Sequence, residues 1–226
     1  EVNHMQAHVL AHFIDEPKPN FPFLCLTVSG GHTQIVLVKN YLDMEIIGET
    51  LDDAAGEAFD KAAKMMGIPY PGGPLVDKYA KEGNPLKFSF TEPQIADLNF
   101  SFSGLKTSIL YFLQKETVKN ANFINENLND LCASIQARIV SILINKLKKA
   151  SQLTGINEIA IAGGVSANGG LRAALDIEGA KLGWKTYIPQ MQYCTDNAGM
   201  IAMAAYYKYL ENQFSDLKMA PMPRLQ

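Results

Sequence analysis

The chain has few cysteines, little net charge and no long hydrophobic run, and each shortage excludes a class of protein. Three cysteines are spread over 226 residues, and none belongs to a C-x-x-C pair. This pattern indicates neither a disulfide framework nor a thiolate zinc site, and it favours a reducing compartment. No apolar run approaches the ~20 residues that span a bilayer, and the amino end carries no signal-peptide pattern. We therefore expect a cytoplasmic protein with no membrane partner.

The charged residues nearly balance, with 20 Lys and Arg against 23 Asp and Glu, so the formal net charge is −3. A protein that binds nucleic acid over a wide surface usually carries a basic excess, so RNA binding here has to be local or shared with a partner. Hydrophobic residues make up 47% of the chain. A chain of this length and composition can bury a sizeable core without disulfides.

The first segment, NHMQAHVLAHF over residues 3–13, predicts a helix with His4, His8 and His12 on one face. Imidazoles one helical turn apart can bind a single metal ion, so His4 and His8 are candidate ligands. His12 lies ~12 Å along the axis from His4, too far to join the same ion comfortably. The competing interpretation is a solvated helix face with three neutral histidines.

Asp196 precedes an apolar helix near the carboxyl end, in the segment CTDNAG. Its ordinary role at such a position is to cap the helix. As a metal ligand it would instead complete a two-His, one-carboxylate set with His4 and His8, leaving positions for substrate oxygens and water. Both roles can coexist.

Two glycine-rich turns are candidate phosphate sites. Ser29-Gly30-Gly31 joins two strand-like runs, and adjacent glycines let backbone amides approach an anion closely. The segment AGGVSAN, residues 162–168, lies between a strand and a helix amino end, where nucleotides often bind. Each turn also occurs for packing alone, but two in one chain favour nucleotide binding. Asp60 lies on a charged helix face, and its local pattern indicates only solvent exposure.

Periodicity predicts alternating strands and helices along most of the chain. After the first helix, the pattern predicts a hairpin around residues 29–32, a strand at 44–48, a helix within 52–67, loops and short strands over 69–102, a helix capped by Ser103, a long helix at 129–152, a strand and helix after 155, a strand at 185–188 and a helix from 196 to about 212. This order is typical of an α/β protein whose mixed sheet is flanked by helices.

The predicted order matches one ribonuclease-H-like domain. Two such domains facing across a cleft form the actin, Hsp70 and sugar-kinase (ASKHA) superfamily, and only the second would be present here. We assign residues 1–22 to a metal-ligand helix and linker. Residues 23–226 form the C-terminal ASKHA-like domain, with a loop-rich and helical insert at about 69–152.

Taken together, seven motifs make the chain resemble the TsaD family, formerly called O-sialoglycoprotein endopeptidases or glycoproteases. They are NHMQAH, VSGGHTQ, DDAAGEAFDKAAK, YPGGP, FSFSGLKT, AGGVSANGGLR and CTDNAGMIA. Each is weak alone, but all seven occur in the family's order and approximate spacing. The resemblance covers essentially the whole chain.

The resemblance implies a metal site and a nucleotide site. His4, His8 and Asp196 match the family's ligands for one divalent ion, and such a donor set accepts either iron or zinc. The positions that match the family's nucleotide-like ligand site are Thr27, Val28, Ser29, Gly30 and Gly31 on the phosphate side, Asp60 and Gly73 at the ribose and adenine end, and Asn168 as a further contact.

The resemblance also implies a reaction and its partners. The family transfers the threonylcarbamoyl group from threonylcarbamoyl-adenylate to the N6 amine of an anticodon-loop adenosine in tRNA, and ATP-like or AMP-like ligands fit the same site. Two protein partners are implied, a smaller TsaD-like paralogue (TsaB) and a P-loop ATPase (TsaE). These partners would supply part of the basic surface that the chain lacks.

The sequence departs from the family pattern in three places. Gln6 stands where Glu is frequent, and Ala198-Gly199 replaces Gly-Ala; neither change removes a proposed ligand. Family members also begin with another ribonuclease-H-like half, whereas this chain opens at Glu1 without it. We expect a fragment that folds but has little or no activity alone.

Three other functions fit part of the pattern. A metalloendopeptidase would use the same histidines, but Met5 stands where such enzymes place their catalytic Glu. An ATPase or small-molecule kinase of the same superfamily would act on the γ-phosphate of ATP. A non-catalytic module, like the shorter paralogue, would lack the candidate metal ligands.

Overall fold

The chain folds around a five-stranded mixed sheet with helices on both faces. A computed structural model describes residues 1–93, 95–216 and 218–220. The strands are β1 (Phe23–Val28), β2 (Thr33–Val38), β3 (Met44–Glu49), β4 (Glu158–Ala162) and β5 (Lys185–Tyr187). The helices are α1 (His4–Leu10), α2 (Ala55–Met65), α3 (Gly72–Ala80), α4 (Ser103–Lys119), α5 (Phe123–Glu126), α6 (Leu128–Thr154), α7 (Gly169–Leu182), α8 (Met191–Cys194) and α9 (Ala198–Leu210), with 3-10 turns at Ala11–Phe13 and Gly164–Ala167.

The strand order in the sheet is β3-β2-β1-β4-β5. β1 pairs antiparallel with β2 in the predicted hairpin, and β2 pairs antiparallel with β3. On its other side β1 is parallel to β4, and β4 is parallel to β5. All 6 side chains of the central strand β1 are buried, which explains why its sequence, FLCLTV, is a nearly continuous apolar run.

Successive side chains of β1 enter two separate cores, as the two-residue period of a strand requires. Leu24 and Leu26 pack in the larger core with residues of α2, α4 and α6. Phe23 and Cys25 pack on the opposite face with residues of α1 and α9. Because β1 and β4 are parallel, their carboxyl ends lie at the same edge of the sheet, and the turns that follow them meet there.

The prediction of loops and short strands over 69–102 is wrong for α3. Its opening residues, Gly72, Gly73 and Pro74, look like a loop in the sequence. However, Pro is tolerated in the first turn of a helix, where its missing N–H has no helical partner to lose. The carboxylate of Asp60 caps the turn by accepting hydrogen bonds from the amides of Gly72 (2.8 Å) and Gly73 (3.0 Å). That cap comes from a different helix, so no local pattern reveals it.

Ser103 does not cap α4 through its side chain, contrary to the prediction. The cap is Asp52, whose Oδ1 accepts hydrogen bonds from the amides of Phe102 (2.8 Å) and Ser103 (3.3 Å). Its Oδ2 accepts a hydrogen bond from the hydroxyl of Ser103 at 2.8 Å. Two distant segments are therefore joined by one carboxylate.

The short helices α5 and α8 were not predicted, and the other helices differ from the prediction mainly at their ends. The long helix α6 begins one residue earlier and ends two residues later than the predicted 129–152, and Gly155 closes it in the left-handed conformation at φ 72°. The division of the chain at residue 22, and the assignment of 69–152 as an insert, stay predictions. Within the described ranges, every helix is too short or too polar to cross a bilayer.

Candidate metal centre and adjoining cavity

Helix α1, which carries the candidate ligands His4 and His8, begins where Asn3 caps it. The side-chain oxygen of Asn3 accepts hydrogen bonds from the amides of Met5 (2.9 Å) and Gln6 (3.0 Å). This cap starts the helix at His4 and places His8 one turn further on the same face. α1 packs beside α9, which brings the start of α9 next to the two imidazoles.

Asp196 meets both histidines at this point. Its Oδ1 lies 3.1 Å from Nε2 of His4 and 3.2 Å from Nε2 of His8, and the three donor atoms lie within 4.8 Å of one another. In a tetrahedral site with bonds of about 2.0–2.2 Å, neighbouring ligand atoms are about 3.4 Å apart. The observed spacing therefore fits a divalent metal ion, and the donors suit zinc or iron.

His8 is the buried member of the group. Its side chain is 2% exposed, whereas those of His4 and Asp196 are 52% and 76% exposed, so the cluster is open to solvent on one side. Burial, together with the charge of His4, lowers the pKa of His8, and these effects outweigh the opposing influence of Asp196. A lowered pKa keeps the imidazole neutral, which is the form that binds metal.

The capping role considered for Asp196 belongs to its neighbour. Asn197 caps α9, because its side-chain oxygen accepts a hydrogen bond from the amide of Met200 at 2.9 Å. The carboxylate of Asp196 is consequently not needed for the helix. It remains directed at His4 and His8.

His12 is separated from the other two histidines. The chain tightens into a 3-10 turn at Ala11–Phe13, and Nε2 of His12 contacts the carbonyl oxygen of Ile161 in β4 at 2.9 Å. Burial lowers the pKa of His12 to about 4. Because His8 and His12 are both buried, the interpretation of a solvated histidine face is wrong.

A cavity of about 590 Å³ lies beside the cluster, at the carboxyl edge of the sheet. Its lining includes Gly30, Asp60, Gly73 and Asn168, four of the predicted ligand-site residues. It also includes Thr195, the residue directly before Asp196, so the cavity borders the candidate metal centre. Cavities of this size hold small-molecule ligands. A side chain added at Gly30 would meet nothing within 4 Å, so the hairpin backbone is open to a ligand.

The other candidate ligand residues of the β1–β2 hairpin do not line the cavity. Thr27 and Val28 are fully buried in β1, and they do not line the cavity, because β1 is covered on both faces. The hydroxyl of Ser29 accepts a hydrogen bond from the amide of His32 at 3.0 Å and so closes the turn. Gly31 is exposed beside it.

The second glycine-rich turn does not present an open helix end. Asp77 of α3 accepts hydrogen bonds through Oδ1 from the amides of Gly169 (3.0 Å) and Gly170 (3.4 Å). Asn168 caps the same helix through the amide of Leu171. A protein carboxylate thus binds the first amides of α7, whereas Gly164, Val165 and Asn168 of the turn itself line the cavity, so nucleotide binding at this turn stays a prediction.

Sequence reasoning also missed Asp77 as a cavity residue. It lines the cavity together with Asp60 and Gly73, and it lies one helical turn beyond Gly73 on α3. That helical spacing is the signal that could have found it, had α3 been predicted as a helix.

Fold and site together define a class of protein: a ribonuclease-H-like domain of the actin, Hsp70 and sugar-kinase type, with a two-His, one-carboxylate cluster at the rim of a ligand-sized cavity. A family model described as "TsaD: tRNA N6-adenosine threonylcarbamoyltransferase" matches residues 1–203. The chain belongs to the TsaD family.

Curated relatives extend this likeness over the chain's whole length. A tRNA N6-adenosine threonylcarbamoyltransferase of Cytophaga hutchinsonii is 58% identical over 226 residues, which is 100% of this chain and 66% of the relative. That of Christiangramia forsetii is 59% identical, covering 99% of this chain and 67% of the relative. The chain therefore spans about two thirds of the length of these relatives.

Solved structures share the fold at much lower identity. Full-length HypF, in its phosphate- and nucleotide-bound form, matches 95% of this chain and 37% of that chain, with a TM-score of 0.71 at 12% identity. Component A of the Acidaminococcus fermentans (R)-2-hydroxyglutaryl-CoA dehydratase matches 92% of this chain and 68% of that chain, with a TM-score of 0.54 at 17% identity. These likenesses confirm the predicted fold class.

Proposed function

We propose that the full-length protein transfers a threonylcarbamoyl group from threonylcarbamoyl-adenylate to the N6 amine of an anticodon-loop adenosine in tRNA, in the cytoplasm. The observation that carries the proposal is the meeting of His4, His8 and Asp196 at the rim of the cavity lined by Gly30, Asp60 and further predicted ligand-site residues. Membership of the TsaD family supports it.

The chemistry requires positioning and charge stabilisation more than a strong base. The donor is a mixed anhydride, and the acceptor amine is a poor nucleophile, so holding both partners in line should contribute most of the rate. His4, His8 and Asp196 would hold one divalent ion, iron or zinc. Such an ion supplies Lewis acidity toward an anhydride or carbamoyl oxygen.

The cavity residues would hold the adenylate. The amides of Gly30 and Gly31 would donate to its phosphate, and the open space beside both glycines supports this role. Asp60 uses Oδ1 for the amides of α3, which leaves Oδ2 to accept a hydrogen bond from a ribose hydroxyl. Asn168 is held by Gln136, whose Oε1 accepts from its amide at 2.7 Å, so its position in the cavity wall is fixed.

The net charge of −3 is low for a protein that binds tRNA without help. We therefore include two partners in the proposal, the smaller TsaD-like paralogue (TsaB) and the P-loop ATPase (TsaE). Their surfaces would complete the binding site for tRNA.

The test uses a protein extended to the full length of the relatives, together with both partners. Wild type, His8→Ala, Asp196→Ala and Asp176→Ala are compared by transfer of labelled threonine to tRNA and by metal content. Asp176 is an exposed aspartate of α7 and serves as the control for a lost carboxylate. His8→Ala and Asp196→Ala should each lose both bound metal and most of the activity, and Asp176→Ala should keep both. Wild-type transfer by His8→Ala with normal metal content would contradict the metal assignment.

The same preparation separates the competing functions. A peptidase would cleave a protein substrate in a metal-dependent manner, although Met5 stands where its general base belongs. A kinase or ATPase would consume ATP without tRNA when the full-length protein is assayed without the P-loop ATPase partner. Either result, without any transfer to tRNA, would replace the proposed function.

A further inference from the structure

A second cavity, of about 490 Å³, adjoins the first. Its lining includes Glu57, Lys61 and Lys64 of α2 and the connector that leads from α2 to α3. Asp60 and Tyr70 line both cavities. The two spaces therefore lie side by side, with Tyr70 on their common border.

Tyr70 is held out into solvent on a stiff connector. The residue is 86% exposed, the highest value among the aromatic residues that the structure describes. Pro69 precedes it and Pro71 follows it, and each proline ring fixes its own φ angle. An exposed aromatic ring on a constrained backbone is suited to stacking with a planar ligand, because little conformational freedom is lost on binding.

Of the two lysines that line this cavity, one forms salt bridges and the other is available to bind a ligand. Lys61 is engaged by Asp53 and Glu57, each at 2.7 Å. Lys64, one turn away on α2, is exposed and forms no salt bridge with any residue that the structure describes. An unpaired ammonium group beside an exposed ring matches the phosphate and base of a single-stranded nucleotide.

We propose that this second cavity is the subsite for the acceptor RNA: an unpaired base stacks on Tyr70, and a neighbouring phosphate pairs with Lys64. The inference rests on the proposed function and deepens it, because the first cavity then holds the activated donor. The shared border at Tyr70 and Asp60 brings donor and acceptor nucleotides next to each other. An RNA substrate is also large enough to cover a residue that is 86% exposed.

The experiment uses the full-length protein with its partners and an anticodon stem-loop in which 2-aminopurine replaces the target adenosine. Its fluorescence falls when the base stacks on an aromatic ring. Tyr70→Ala should abolish this quenching and weaken RNA affinity about tenfold, whereas Tyr70→Trp should retain both. Lys64→Ala should weaken binding and reduce the slope of log affinity against log salt by about 1.

Two exposed residues of α4 provide the controls. Tyr111→Ala and Lys115→Ala remove an exposed tyrosine and lysine that line neither cavity, and both variants should bind RNA like wild type. AMP affinity is measured in every variant. Unchanged RNA affinity and quenching in Tyr70→Ala would overturn the subsite, as would a loss of AMP affinity without loss of RNA affinity.

The inference and the proposed function can fail separately. If wild type transfers threonylcarbamoyl normally and Tyr70→Ala does so with an unchanged KM for tRNA, the function stands and the subsite is wrong. If wild type transfers nothing but binds the stem-loop in a Tyr70-dependent manner, the subsite stands and the reaction is wrong.

Discussion

Oδ1 of Asp196 lies 3.2 Å from Nε2 of His8, although 188 positions separate the two residues in the chain. The contact depends on α1 and α9 packing side by side on one face of the sheet. It also depends on Asn197, which caps α9 in place of Asp196. The candidate metal centre therefore exists only in the folded chain.

Alanine substitutions at Asp196 and Asn197 should affect metal binding and helix stability separately. Asp196→Ala is expected to abolish metal binding with little change in the free energy of unfolding of the metal-free protein, because it caps nothing. Asn197→Ala should retain metal and lower that free energy by about 1 kcal/mol through loss of the cap. Metal analysis and urea denaturation check both. Retained metal in Asp196→Ala would remove this carboxylate from the site.

Asp60 should show two separable roles. Asp60→Ala removes the cap on α3 and should lower the free energy of unfolding by about 1 kcal/mol. Asp60→Asn keeps an oxygen for the amides of Gly72 and Gly73, so its stability should stay close to wild type. Both variants should bind AMP about tenfold more weakly, because the second carboxylate oxygen is lost in each. Wild-type AMP affinity in Asp60→Asn, by calorimetry, would argue that Asp60 is only a cap.

His12 should make stability depend on pH. Its pKa is about 4 in the folded chain, against an ordinary value near 6.5, so the unfolded chain binds the proton more readily. The stabilising contribution is complete above pH 6.5 and is lost as the pH falls toward 4; it amounts to about 3 kcal/mol. His12→Gln keeps a donor for the Ile161 carbonyl but does not titrate. With a metal chelator present, the difference in unfolding free energy between wild type and His12→Gln should therefore change between pH 6.5 and pH 4. If the two curves of unfolding free energy against pH are parallel over this interval, the lowered pKa of His12 is contradicted.

Gly163 and Gly30 should respond differently to alanine. Gly163 has φ +86°, and an added Cβ would overlap the carbonyl oxygen of Val28. The left-handed backbone alone costs a non-glycine residue about 1–2 kcal/mol, so Gly163→Ala should destabilise by more than about 2 kcal/mol. Gly30→Ala meets nothing within 4 Å and should stay within about 0.5 kcal/mol of wild type in stability. Its AMP affinity should fall, since the methyl group enters the cavity. Equal losses of unfolding free energy in Gly163→Ala and Gly30→Ala, measured by urea denaturation, would contradict this prediction.

Local sequence patterns predicted the elements whose signals are local. The apolar run of β1, the glycine turn after it and the helical periodicity of α6 were each recognised close to their observed bounds. Besides the short helices α5 and α8, the exceptions were α3 and the cap of α4, where the caps are Asp60 and Asp52. Those carboxylates reach the helices from other segments, so the residues near each helix start carried no sign of them.

The candidate site also has features that local sequence patterns predict and features that they do not. The spacing of His4 and His8 was enough to predict two imidazoles on one face, because a helix repeats every 3.6 residues. The choice of Asn197 rather than Asp196 as the cap, and the filling of the α7 anion seat by Asp77, could not be predicted from the segments themselves. Asn197 offers an amide oxygen to its own helix beside a carboxylate that could have done the same, whereas Asp77 reaches α7 from a different helix, α3.

The sequence by itself determined the order of the five sheet strands and of the longer helices other than α3, the glycine turns at the sheet edge and the family, because each of these follows from short-range patterns or from motifs in register. Tertiary structure alone decided how closely Asp196 approaches His4 and His8, that His12 is buried against β4, and that Tyr70 lies between two cavities. Such contacts join residues far apart in the chain. They arise from helices packing on a common sheet, which no local periodicity encodes.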